Sequence, residues 1–195
     1  AEEGGDSSSI WQYRHLVFGV VAIFLYVGIE VSIGGFLVNF FGESSIAGMS
    51  EEVAGNYVSY YWGGAMVGRF IGSAILQKMK AQTLLAISSI GALLLVITTL
   101  LTTGSVAMWA ILLVGLCNSV MFPNIFTLSI KGVGKHTSRA SGLLVMAIVG
   151  GAIIPVIQGM LADSIGVQPS FAIGLICYGY VLFYALRGYQ SKTES

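Results

Sequence analysis

The sequence predicts an all-α membrane protein of six transmembrane helices, set out as two inverted three-helix repeats. Three observations carry this. The 195 residues are 55% hydrophobic and only 9% charged, with a mean hydropathy of +0.85, whereas a soluble domain carries about 25% charged residues. Six apolar segments reach the roughly 20 residues that a helix needs to cross a bilayer; they lie at 15–42, 53–77, 82–103, 106–130, 139–162 and 168–187. Basic residues gather on one side of these segments. Arg14, Lys78, Lys80, Lys131, Lys135, Arg139, Arg187 and Lys192 fall in the N-terminal arm, the second and fourth connections or the tail, and Arg69 lies nearest the second connection. The opposite connections hold Glu43, Glu51, Glu52 and Asp163 and no basic residue. By the positive-inside rule both termini are expected in the cytoplasm.

The first segment organises the rest. It holds a carboxylate, Glu30, then Gly34 and Gly35, then Asn39. A charged group at membrane depth is costly and marks a pathway or a partner by default. The glycine pair is expected to weaken the helix beside the acid. The alternative is a protonated acid bonded to a neighbouring helix.

In the second segment Gly64, Gly68 and Gly72 recur every fourth residue, which puts them on one face for close helix approach. Arg69 either snorkels outward or pairs with an acid, and no acid of this chain is expected at its level. Tyr60, Tyr61 and Trp62 read as interfacial anchors or as a surface for a sugar ring.

The third segment is expected to be a supporting, lipid-facing helix, and so is the sixth, with Tyr178, Tyr180 and Tyr184. The fourth is broken and polar. Asn118 and Asn124 need partners in hydrocarbon, and Pro123 frees the carbonyl of Ser119. Such a break either exposes backbone to a polar ligand or is a packed kink with amides as interhelical glue. The fifth segment repeats the device with Gly150, Gly151, Pro155, Gln158 and Gly159. Ala65-Met-Val-Gly68 matches Ala147-Ile-Val-Gly150, a weak internal similarity between segments two and five. Interrupted polar segments at matching places in inverted triplets point to a transporter site.

Other chemistry is missing. Cys117 and Cys177 read as small apolar residues. His15 and His136 are expected at the inner surface as solvated residues. There is no metal-binding or phosphate-loop motif, so no enzyme, cofactor or metal is expected, and the zero net charge argues against nucleic acid. The first ten residues, AEEGGDSSSI, lack the basic start of a secretory leader. With no initiating Met, the expectation is a piece of a longer chain or a processed product.

The runs YVGIEVSIGGFLVNF (26–40), MFPNIFTLSIKGVG (121–134) and SGLLVMAIVGGAIIPVIQGMLAD (141–163) together resemble the fucose/glucose/galactose symporter family of the major facilitator superfamily. The resemblance is to the C-terminal half alone. It implies that residues 1–14 end a cytoplasmic central linker, that 15–190 form the six-helix bundle, half of a major facilitator fold, and that 191–195 are a cytoplasmic tail. It further implies hexose import by alternating access, with a proton or sodium as coupling cation, in a bacterial inner membrane, together with an N-terminal six-helix half. Glu30 leans toward the glucose/galactose type.

On this reading Glu30 and Asn39 bind sugar hydroxyls and Glu30 also couples the ion. Asn118, Asn124 and Gln158 are further amide ligands, and Phe122 or Tyr61 stacks on the ring. The glycine faces of segments two and five serve as sliding contacts between halves. The rival expectations are a non-transporting sensor or assembly module with half a transporter fold, and a carrier of another small polar solute. An anionic solute is disfavoured for want of an inward basic residue.

Overall fold

The computed structural model describes residues 10–190, all of whose regular elements are helical. The tail at 191–195, and residues 1–9 of the expected linker, lie outside the described residues. α1 (Arg14–Gly42) is apolar on nearly every face, which suits only a buried or membrane helix, and it forms the centre of the bundle. It packs against α2 (Glu51–Leu76), α5 (Met121–Ile130), α7 (Gly150–Ile165) and α9 (Ile173–Phe183). α3 (Ala81–Leu101) packs on α4 (Gly104–Asn118) and α9. α6 (Thr137–Met146) and the short α8 (Val167–Ser170) complete the set.

Five helical stretches are long and apolar enough to cross a membrane: Arg14–Gly42, Ala81–Leu101, Gly104–Ile130, Gly134–Ile165 and Val167–Gly188. α2 has 26 residues, but its acids, Asn56, Arg69 and its glycines dilute its apolar content.

The fourth segment breaks where Pro123 predicts. α4 stops at Asn118, a turn takes Ser119 and Val120, and α5 resumes at Met121. The fifth tightens to a 3-10 turn over Ala147–Val149 before Gly150. Gly34 and Gly35 do not interrupt α1, which corrects the expected weakening there. Gly34 instead makes room for aromatic rings: a Cβ there would lie 2.8 Å from Trp62 and 3.5 Å from Tyr61.

The other glycines also serve packing within this bundle. Gly68 and Gly72 are buried against the side chains of Ser119 and Val120, and Gly64 lies beside the backbone of Leu116. Gly150 lies against the main chain of Phe24, with Gly28 against Ile154 and the Gly150 carbonyl. Their space is already filled from inside, which corrects the reading of these faces as sliding contacts between halves.

α3 turns one stripe outward, Ile87, Ile90, Leu94, Ile97 and Leu101, all exposed. Its hydroxyls turn inward on its own backbone: Ser89 donates to Leu85 O, Thr98 to Leu94 O and Thr99 to Leu95 O. The carbonyls at its C-terminal end are capped by Gln168, whose Nε2 donates to Thr99 O and Thr102 O at 2.7 Å each. The histidines are buried rather than solvated. His15 Nε2 lies 2.9 Å from the Lys131 carbonyl, tying the start of α1 to the end of α5, and His136 packs near Tyr13.

Candidate functional site: an unpartnered acid beside a broken helix

Burying a polar atom without a partner costs about 1–3 kcal/mol, so each such atom calls for a reason. Among the described residues two side-chain atoms stand in this position, Glu30 Oε1 and Asn124 Nδ2. Asn124 lies in the first turn after the α4–α5 break. Glu30 lines a pocket of about 450 Å³ with Val27, Arg69, Phe122, Pro123 and Ile148. The volume falls within the range of small-molecule sites, about 300–1,000 Å³. The lining comes from α1, α2, α5 and the 3-10 turn ahead of α7. The helical interruptions read from the sequence therefore converge on the acid.

Arg69 was expected to lack an acid at its level, and this is corrected: Glu30 shares its pocket and acts on it electrostatically. A guanidinium at the pocket also removes the ground on which an anionic solute was disfavoured.

The remaining candidates divide by what their polar atoms already do. Asn118 is fully buried and engaged at three points. Its Nδ2 donates to Tyr61 Oη at 2.9 Å, its Oδ1 accepts from Tyr178 Oη at 2.9 Å, and its carbonyl accepts from Tyr26 Oη at 3.0 Å. Tyr61 is also fully buried; its hydroxyl donates to the Glu30 carbonyl at 3.1 Å and its ring meets Trp62 edge-on. Gln158 accepts a short hydrogen bond from Ser32 Oγ and donates through Nε2 to Ser170 Oγ at 3.2 Å, so it joins α1, α7 and α8.

Phe122 lines the pocket and stacks on Phe126. Asn124 is buried with its amide nitrogen open. Asn39 is exposed, in one stripe of α1 with Val31 and Gly35. Nine residues separate it from Glu30, about 14 Å along the axis, and it is not part of the pocket lining. Sequence reasoning missed Tyr26, Tyr178, Ser32 and Ser170, whose hydroxyls complete these bonds. Tyr178 could have been found by asking which side chain satisfies the second end of a buried asparagine.

Replacing Gln158 by Leu strands the hydroxyl of Ser32. We expect Gln158→Leu to lower stability by about 1–3 kcal/mol, read as thermal unfolding in detergent. Unchanged stability would mean that the Ser32–Gln158 bond does not hold α1 to α7.

A bundle with a buried acid facing the break of its central helices has the architecture of half a transport protein, and the solved structures agree. The Escherichia coli fucose:proton symporter superposes with a TM-score of 0.91 at 28% identity, over 98% of this chain and 47% of that one. The fold is that of half a major facilitator superfamily transporter. A Brucella abortus protein named glucose/galactose transporter is 54% identical over 183 residues, 94% of this chain and 44% of that protein. The L-fucose-proton symporter of Escherichia coli is 29% identical over 198 residues, 100% of this chain and 45% of that protein. No family model matches the chain. The chain is thus a relative of the fucose/glucose/galactose symporters of the major facilitator superfamily, and it spans a little under half the length of the curated relatives it matches.

Proposed function

We propose that this chain is the C-terminal half of a secondary active sugar transporter that imports a hexose by alternating access. The observation that carries the reading is Glu30, a buried acid with one oxygen unpartnered, lining a pocket where the interrupted segments meet. Transport sites are built from discontinuous helices near the midplane, and an intramembrane acid marks an ion or substrate path. α2 counts as the sixth span, with the helices arranged as two inverted triplets in a bacterial inner membrane and both termini cytoplasmic. An N-terminal half closes the cavity. Glu30 takes the coupling cation, a proton or sodium, and with Asn124 and Phe122 meets the sugar. Asn118, Gln158 and Tyr61, whose polar atoms are already bonded, hold these groups rather than bind.

Asn39, on the exposed stripe of α1 and outside the Glu30 pocket, would meet the solute from the side of the cavity that the N-terminal half closes. We expect Asn39→Ala to weaken sugar uptake several-fold, as loss of one hydrogen bond of about 1 kcal/mol would. Unchanged apparent affinity in an uptake titration removes it from the site.

The reading is tested by counterflow of labelled glucose, galactose and fucose into liposomes, with this chain joined to an N-terminal half and with this chain alone. Exchange only in the joined sample supports the proposal. Exchange in neither, with both proteins folded, sinks the hexose assignment and favours a non-transporting module or another solute.

A further inference from the structure

Four helices meet at Asn118 through bonds whose chain ends on the Glu30 carbonyl, the one residue of the pocket lining that it reaches. Tyr178 of α9 donates to Asn118 Oδ1, and Asn118 Nδ2 donates to Tyr61 of α2. Tyr61 in turn donates to the Glu30 carbonyl in α1. Tyr26, one turn before Glu30, donates to the Asn118 carbonyl, at the residue where α4 ends. The loop is closed: α1 holds the end of α4, and α4, through Tyr61, holds α1. All four side chains are fully buried or nearly so.

We propose that Tyr61, Asn118 and Tyr178 are positioning residues that fix the Glu30 carboxyl relative to the α4–α5 break, so that the acid and Phe122 face one ligand. This rests on the reading of Glu30 as part of a transport site. The physical reason is leverage. At Gly34, one turn beyond Glu30, α1 has no side chain of its own to set against α2, and the rings of Trp62 and Tyr61 fill that space. A bond from Tyr61 to the Glu30 carbonyl, with the Tyr61 ring against Gly34, replaces the constraint that side chains would have supplied. Tyr178 lies at the far end of the relay, and its hydrogen bond enters it at Asn118. Tyr26 of α1, through its side chain, and Arg69 of α2 act on Glu30, and the charge of Glu30 is felt in turn at Tyr61 of α2 and Tyr178 of α9.

The test reads Glu30 directly. In membranes carrying the joined protein, an apolar carbodiimide is allowed to add to carboxyl groups, and peptide mass spectrometry follows the rate at Glu30 against that at exposed Glu51. Tyr178→Phe and Tyr61→Phe keep ring volume and remove one hydroxyl. Each is expected to raise labelling of Glu30 about tenfold, the loss of one buried hydrogen bond, with Glu51 unchanged. Tyr180→Phe removes a hydroxyl that bonds the Phe18 carbonyl outside the relay and should leave Glu30 unchanged. If Tyr61→Phe fails to fold, Tyr178→Phe decides alone. The inference is overturned if Tyr178→Phe moves Glu30 no more than Tyr180→Phe does. Protection of wild-type Glu30 by glucose, galactose or fucose is scored in the same samples. No protection counts against the sugar reading and leaves the positioning result standing.

Discussion

Glu30→Gln in the joined transporter is expected to keep hexose counterflow measurable, within about tenfold of wild type, and to reduce uptake against a gradient to the level of empty vesicles. The two assays separate the roles proposed for Glu30. A glutamine has nearly the same shape and still offers an acceptor oxygen to a sugar hydroxyl, so exchange should change by about tenfold at most. It cannot take up and release a proton or neutralise a sodium ion. Both assays are run on one preparation at equal protein density. Driven uptake that survives the substitution removes Glu30 from coupling. Loss of exchange as well as drive would mean that the carboxylate itself grips the sugar.

Gly150→Leu should be the most damaging substitution away from that acid. At Gly150 an added Cβ would run into the carbonyl and main chain of Phe24, while Gly28 opposite already abuts Ile154 and the Gly150 carbonyl. Backbone faces backbone here, so no side-chain rotamer relieves the clash and α1 and α7 must part. Overpacking costs about 1–3 kcal/mol where side chains can yield, and more is expected here. Gly142 in α6 is the control, because nothing lies within 4 Å of its added Cβ. A helical Gly→Ala change in open space stabilises by about 0.5–1 kcal/mol. Thermal unfolding in detergent should therefore move down for Gly150→Leu and Gly150→Ala and slightly up for Gly142→Ala. Equal behaviour of the Ala pair would mean that the α1–α7 contact is looser than described.

Five of the six expected membrane segments and the break ahead of Pro123 were legible because they rest on local rules: apolar length, helical spacing and a missing backbone donor. The packing face of α2 was legible for the same reason, since Gly64, Gly68 and Gly72 announce a close neighbour by spacing alone. What the sequence leaves open is allocation. It shows that Asn118, Asn124 and Gln158 must find partners, but the partners lie on other helices. Tyr178 is 60 residues from the asparagine whose oxygen it satisfies. Tyr26 and Tyr178 look like ordinary apolar letters within apolar runs, so nothing local marked their hydroxyls. Arg69 was misread for a related reason. Its level in the bundle was measured from the end of its own helix, whereas its relation to Glu30 depends on how α1 and α2 are staggered.

The back-bonded hydroxyls of α3 bear on what the surrounding lipid encounters. A threonine that has spent its proton on the carbonyl one turn earlier presents chiefly its methyl to the outside. Thr98, on the outer side of the helix, thus has no proton left to donate to a visiting surface. The outward face of α3 is greasier than its letters suggest. Any lateral association through it would be set by shape alone, easily formed and easily exchanged.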